Sequence, residues 1–277
     1  MLQNIRLAML DVDGTLRHGN DWLPGALDLL TTCHDFGWRI ALCSGRPSPS
    51  LQRIAAQINT LLPDAVDWVA SGNGTAVWER TGGTWVQRDA YPIPVAAVDE
   101  LLAWARAAGV ASWAMTAEHW LAETADEVTV RIGEFIDNPA VITPLAGRGD
   151  LTKLEFVRPG YGLTPEPERV IVPAELLEPH GLIALEVMPG ASEIVLRAAA
   201  DTKGGELLVA DLNLAWRNVF AAGNGVNDLG MLSRAAVAAA LPPLTPEEAR
   251  TVGAQPWSGP DEVATWLRAS ADSGSAG

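Results

Sequence analysis

The chain has 277 residues, enough for one large domain or two modest ones. Hydrophobic residues make up 48% and charged residues 19%, a composition that fills a core and argues against a disordered chain. The net charge of -15 argues against a nucleic-acid partner, whose phosphate backbone would be repelled over most of the surface, but leaves room for a small phosphorylated ligand in a local positive pocket.

Residues 5–11 form an apolar run ending in an acid, the pattern of a buried strand in a parallel sheet. Residues 24–36 carry Ala26, Leu27, Leu29 and Leu30 at helical spacing, with Gly37 where a helix would stop. A strand is expected at 39–43, a helix at 48–62 and a strand at 67–70. This alternation is the signature of an α/β, doubly wound, Rossmann-like parallel sheet. After Ser71 the pattern changes. Residues 78–85 read as a hairpin turning at Thr81-Gly82-Gly83, and 95–108 as a helix closed by Gly109. Short strand candidates follow, 151–157 and 183–188 among them. The alternation returns with a helix at 204–212, a strand at 218–222, a helix at 227–235 and a strand at 237–241. The expected division is a core of residues 1–78 and 193–269, an inserted α+β domain of residues 79–192, and a disordered Ser/Gly/Ala-rich tail at 270–277.

Cys33 and Cys43 sit in no metal-ligand spacing and read as core residues. Most of the 11 tryptophans read as packing residues, with Trp113 and Trp120 as candidates for the wall of a substrate pocket. No apolar stretch reaches the roughly 20 residues that span a bilayer, and the first residues lack a signal-peptide layout. A cytoplasmic protein with no membrane partner is expected.

Four polar segments stand where chemistry is expected, at the carboxyl ends of strands. In Asp11-Val12-Asp13-Gly14-Thr15, two carboxylates two residues apart need a cation or a proton to relieve their repulsion. Gly14 allows a sharp turn, and Thr15 offers a hydroxyl and an N–H to a phosphate. Ser44-Gly45-Arg46-Pro47 presents a hydroxyl and free N–H groups at a strand-to-helix turn. Lys203, just before the helix expected at 204–212, can neutralise a phosphoryl group. Gly223-Asn224-Gly225-Val226-Asn227-Asp228 again sets polar and acidic groups at a strand end.

Together with Ser71-Gly72-Asn73-Gly74, these segments resemble the haloacid-dehalogenase-like hydrolase superfamily, and their spacing resembles its Cof-like phosphatases, whose large α/β cap lies between the second and third motifs. The resemblance implies a phosphoric monoester hydrolase acting on a small phosphorylated metabolite, a sugar phosphate being one candidate. It implies that Asp11 attacks phosphorus and forms an aspartyl-phosphate, and that Asp13 protonates the leaving alcohol and then activates water. Thr15, Ser44, Gly45 and Lys203 would hold the phosphoryl oxygens. Mg2+ would be held by Asp11, Asp13 through its backbone carbonyl, Asn224 and Asp228, with Arg46, Asn73 and Asn227 in support. The family usually has Asp where this chain has Asn224, which lacks the negative charge. The alternative implied is therefore a catalytically weak relative that binds a phosphorylated ligand.

Overall fold

The computed structural model of the chain describes residues 2–159, 161, 168–186 and 190–274. Strand β1 (Leu7–Leu10) is buried at every position, as a parallel strand covered on both faces must be. A two-residue hairpin follows, β2 (Arg17–His18) with β3 (Asp21–Trp22), and then α1 (Ala26–Asp35) and β4 (Arg39–Cys43). Helix α2 (Ser48–Leu61) has a proline in its first turn, where the missing N–H has no helical partner to lose, and it leads to β5 (Val66–Ser71). The chain then reverses through β6 (Ala76–Thr81) and β7 (Thr84–Ala90).

The insert opens with α3 (Val95–Ala108), which stops at Gly109 in the left-handed conformation (φ 67°). It continues through β8 (Ala111–Met115), β9 (Trp120–Ala122) and α4 (Glu127–Phe135), whose N-terminus is capped by the Asp126 side chain accepting from the Thr129 N–H. The strands β10 (Val141–Ile142), β11 (Lys153–Val157), β12 (Leu182–Leu185) and β13 (Ala191–Leu196) complete it. The return is α5 (Arg197–Ala200), α6 (Gly205–Asp211), β14 (Val219–Gly223), α7 (Leu229–Arg234), β15 (Val237–Ala240), α8 (Pro246–Thr251), β16 (Gln255–Pro256) and α9 (Pro260–Gly274).

These strands make an eight-stranded sheet in the order β16-β15-β14-β1-β4-β5-β6-β7 and a six-stranded sheet in the order β10-β9-β8-β11-β13-β12. The first is parallel from β16 to β5 and closes with two antiparallel partners. The period of two along β1 divides its core. Ala8 and Leu10 face Leu29, Leu30, Leu51, Ile54, Val263 and Leu267 of α1, α2 and α9, whereas Leu7 and Met9 face Leu208, Met231 and Ala249 of α6, α7 and α8. The sheet is therefore wound on both faces, the expected α/β class. Cys33 and Cys43 are free and buried in this core, and burial raises both thiols. Among the described residues no helix is long and apolar enough to cross a membrane.

Strand pairing moves the expected divisions. The hairpin β6–β7 continues the core sheet through β5, so residues 79–90 pair with the core and not with the insert. Trp78 packs on the core's first face and Val77 on its second, which is what anchors the hairpin there. At the return, β13 pairs with β11 and β12, so the insert's sheet runs to Leu196 and includes residues 193–196. The segment 270–274, expected to be disordered, continues α9; the rest of the expected tail, 275–277, lies outside the described residues, as do 187 and 188 of the expected strand at 183–188.

Helix α9 lies on α1, where Leu267 is fully buried and Arg268 forms a 2.7 Å ion pair with Asp28. The buried side chain outweighs the exposed pair, because exposed pairs contribute little. Leu267→Ala is expected to lower stability by about 2–5 kcal/mol, and Arg268→Ala by no more than about 1 kcal/mol, both measured by urea unfolding.

Candidate active site

Four strand ends and one turn between helices carry the polar segments to one edge of the core sheet. Asp11 follows β1 and is fixed by its N–H donating to the Ala222 carbonyl of β14 at 3.0 Å. Ser44 follows β4 and is fixed by its N–H donating to Ala70 of β5 at 2.9 Å. The loop after β14 brings in Asn224 and Asp228, and the turn before α6 brings in Lys203. Lys203 itself has φ 50°, and its neighbour Gly204 has φ 78°. A Cβ on Gly74 would lie 2.2 Å from the Gly204 nitrogen, so only glycine at 74 lets the 71–75 loop pass against this turn.

Lys203 is the centre of the site and is completely buried. Its Nζ donates to Asp11 Oδ1 at 2.8 Å, to Asp228 Oδ1 at 2.5 Å and to the Cys43 carbonyl at 3.3 Å. Burial works against its charge, but Asp11 and Asp228 more than offset it, and its pKa is raised. Asp11 is pushed up to about 7, first by burial and then by Asp228, with Lys203 opposing. Asp11 and Asp228 are thus two buried acids competing for one cation.

Asp13 lies further out, its side chain 36% exposed. The buried Arg46 holds it in a two-point fork, Nε to Oδ2 at 2.7 Å and Nη2 to Oδ1 at 2.7 Å. Arg46 is held in turn by the Gly19 carbonyl at 2.9 Å and Ser50 Oγ at 3.3 Å. The sequence placed Arg46 only in support; its grip on Asp13 spans 33 residues and has no local signal.

The Asn224 amide sets one end 2.8 Å from the Asp13 backbone carbonyl oxygen and 3.1 Å from Asp11 Oδ2. With nitrogen at that corner, the amide donates to both oxygens. With oxygen there, three oxygens gather, and the Thr15 hydroxyl donates to the amide oxygen at 3.3 Å. The second arrangement suits magnesium: ligands roughly 2.0–2.1 Å from the ion and at right angles lie about 3 Å from one another. The donor set is one carboxylate, one carbonyl and one amide, and no group of three His, Cys, Asp or Glu able to hold a metal occurs among the described residues.

Asp228, expected among the metal ligands, is committed elsewhere. Its Oδ2 accepts from the Asn224 and Gly225 N–H groups at 2.9 and 2.8 Å, and its Oδ1 accepts from Lys203. It braces the loop that presents Asn224. Ser44 Oγ accepts from the Arg46 N–H at 3.3 Å, and its carbonyl accepts from the Asn73 N–H at 2.9 Å. Asn227 Nδ2 donates to Asn73 Oδ1 at 2.9 Å, linking two of the expected supporting residues. Trp113 and Trp120, expected at the wall of a pocket, pack edge to face at 5.4 Å within the insert, and Trp113 Nε1 donates to Thr129. Sequence reasoning missed Lys153, which donates to the Gly45 carbonyl and to Glu193 and lies 3.7 Å from Glu155. The available signal was the alternation of Lys153 and Glu155 with Leu154 and Phe156.

No protein of curated function matches the chain in sequence. Several solved structures share its fold. A haloacid dehalogenase-like hydrolase from Bacteroides thetaiotaomicron superposes with a TM-score of 0.73 at 19% identity, over 95% of this chain and 98% of that one. A sugar phosphatase of haloacid-dehalogenase subclass IIB gives 0.74 at 16% identity, over 97% and 99%. A protein from Thermotoga maritima gives 0.70 at 16% identity, over 95% and 97%. A family profile described as haloacid dehalogenase-like hydrolase matches residues 8–154, from β1 through the first part of the insert. With more than half of its length matched, this chain belongs to the haloacid dehalogenase-like hydrolase family.

Proposed function

We propose that this hydrolase is a magnesium-dependent phosphatase that acts on a small phosphorylated metabolite through an aspartyl-phosphate on Asp11. The observation that carries the reading is Asp11 itself, a buried carboxylate at a strand end with Lys203 on one oxygen and a second acid, Asp13, two residues on. In this reading an Asp11 oxygen forms a bond to phosphorus as the bond from phosphorus to the leaving oxygen breaks. Asp13 gives its proton to that oxygen, then takes one from the water that cleaves the aspartyl-phosphate, and phosphate leaves. Donation requires Asp13 to turn away from the Arg46 fork, and its partial exposure leaves it room to turn. Thr15, Ser44 and the Gly45 N–H bind phosphoryl oxygens, and Lys203 balances charge as they approach Asp11. Asp11 Oδ2, the Asp13 carbonyl and the Asn224 amide oxygen would hold the magnesium, which when bound supplies positive charge to the phosphoryl oxygens. Asn224 also favours a second reading, a weak relative that acts by binding a phosphorylated ligand, because a neutral residue stands where the family has an acid.

Phosphate release from a panel of phosphoesters, with and without magnesium, separates the two. The phosphatase reading expects turnover that Asp11→Asn abolishes and that Asp13→Asn lowers by about 10²–10⁴-fold. Near-normal rates in Asp11→Asn would sink the covalent route, and no turnover with intact ligand binding would establish the binder.

Asn224→Asp is expected to tighten magnesium. A charge added next to a divalent ion contributes about 4 kcal/mol at an effective dielectric of 20 before desolvation offsets it. A net gain of about 1–3 kcal/mol is about 5- to 150-fold in affinity. Calorimetric titration of magnesium into both forms measures this without reference to activity, and equal or weaker binding by the variant would remove residue 224 from the ligand set.

A further inference from the structure

A cleft of about 730 Å³ opens at the end of the core sheet away from Asp11, and three arginines line it. Arg6 immediately precedes β1 and Arg39 opens β4, so the cleft lies at the far ends of the two strands that deliver Asp11 and Ser44 to the candidate active site. Five residue steps from Arg6 to Asp11, at roughly 3.3 Å each, separate the two places by about 16 Å. The Arg39 N–H donates to the Arg6 carbonyl at 2.9 Å, which sets these two residues side by side on neighbouring strands. Arg88, on the edge strand β7, stands at the other side of the cleft.

The hydrogen-bond donors gathered here exceed their partners. Arg6 Nη1 donates to the Gln3 and Ile5 carbonyls, both at 2.7 Å, and no acid pairs with its charge among the described residues. Arg39 meets only Asp67 among the described residues, at 3.7 Å, too long for a hydrogen bond. Arg88 Nη2 pairs with Glu79, which also lines the cleft, and its other N–H groups stay uncommitted. Asp211, at the end of α6, is the second acid of the lining. Three arginines against two acids leave one positive charge in excess, on a chain whose net charge is -15. Two arginines side by side on neighbouring strands repel, so the sheet's own stability does not call for them. Trp68 is the deepest residue of the lining, 1% exposed, and its indole N–H is buried without a hydrogen-bond partner among the described residues. Such a donor also weakens the fold unless something accepts from it.

We propose that this cleft is a second ligand site, which binds a small metabolite bearing at least two carboxylate or phosphate groups. Arg6 and Arg39 hold one group between them, because the guanidinium fork matches the oxygens of either anion. The uncommitted N–H groups of Arg88 take the second group across the cleft. The volume is that of a site for a small molecule and not for a lone ion. A cation meets the excess positive charge, and a neutral ligand leaves Arg6 and Arg39 unopposed. The site is separate from Asp11 and does not depend on the phosphatase reading.

The test is calorimetric titration of citrate and of pyrophosphate, in magnesium-free buffer, into the native chain, Arg6→Gln and Arg39→Gln. At least one probe is expected to bind the native chain one to one and more tightly than about 1 mM. Citrate alone identifies a polycarboxylate site, pyrophosphate alone a polyphosphate site, and both a site for either anion. Each substitution is expected to weaken binding about 10- to 100-fold, as loss of a hydrogen bond to a charged group implies. Arg39→Lys keeps the charge and loses the fork, so it is expected to weaken binding less than Arg39→Gln does. Arg6 and Arg39 are exposed, and the Tm of each variant reports whether the fold is intact. Arg268→Gln removes an arginine paired with Asp28 on α1 and is expected to bind as the native chain does. Binding of neither probe below about 1 mM overturns the inference. So does binding that Arg6→Gln and Arg39→Gln leave unchanged, which would place the probe elsewhere, or an equal weakening by Arg268→Gln, which would reduce the effect to general charge. None of these measurements involves turnover, so the phosphatase reading stands or falls separately.

Discussion

Lys203 between Asp11 and Asp228 is the interaction on which the rest of the structure depends. Each of the three is buried, and removing Lys203 would leave two carboxylates in a low-dielectric interior without their cation. The three residues come from chain positions far apart: Lys203 reaches across 192 residues to Asp11 and 25 to Asp228. Their meeting therefore requires the parallel sheet to place the ends of β1 and β14 side by side, and it requires the chain, once back from the insert, to pass beside the loop that follows β5. Gly74 against Gly204 shows how closely that return is fitted. An insert of any internal design can be accommodated provided its two ends meet this constraint.

The same turn that carries Ser44 also docks the insert. Ser48 and Ser50, in the first turn of α2, donate to the Ala117 and Ile136 carbonyls of the insert, both at 2.6 Å. Arg53, one turn on, pairs with Asp137 at 2.9 Å. The Phe135 ring sits 5.8 Å from the Arg46 guanidinium. Thus the loop expected to bind phosphate, the arginine that grips Asp13 and the surface that receives the insert form one short stretch of chain. Arg46 thus meets both the insert, through Phe135, and Asp13.

The alternation of the core was legible because parallel strands buried on both faces read as apolar runs, and each helix between them carried a spaced apolar stripe. The expected helix at 95–108 coincides with α3, since Gly109 is a stop signal that acts locally. Pairing was not legible. A hairpin at 76–90 has the same sequence signature whether it extends one sheet or begins another, and only the burial of Val77 and Trp78 against distant helices settles it. Of the candidate site, Asp11, Asp13, Ser44, Lys203 and Asn224 were visible as motifs. Asp228 was visible too, but the two backbone N–H groups that take up its Oδ2 were not, because they depend on the fold of the loop. Glu193 carried no signal, since its meaning lies in being opposite Glu155, and register between strands separated by a long connection is not written in either strand.

Charge arithmetic gives Asn224 a physical rationale. Asp11, Asp228 and Asp13 face Lys203 and Arg46, so the site holds one formal negative charge in excess. An acid at 224 would add a second, within about 3 Å of Asp11 Oδ2. Two such charges repel by about 4 kcal/mol at 4 Å and an effective dielectric of 20. In the absence of a cation that repulsion falls on a carboxylate already pushed toward neutrality by burial and by Asp228. With asparagine, the amide nitrogen can instead donate to Asp11 and to the Asp13 carbonyl, and the corner is satisfied without an ion. Under the magnesium reading proposed above, the same amide turned over would offer its oxygen to the ion. Asparagine at 224 thus satisfies the corner without an ion, where an acid would add to the repulsion on Asp11.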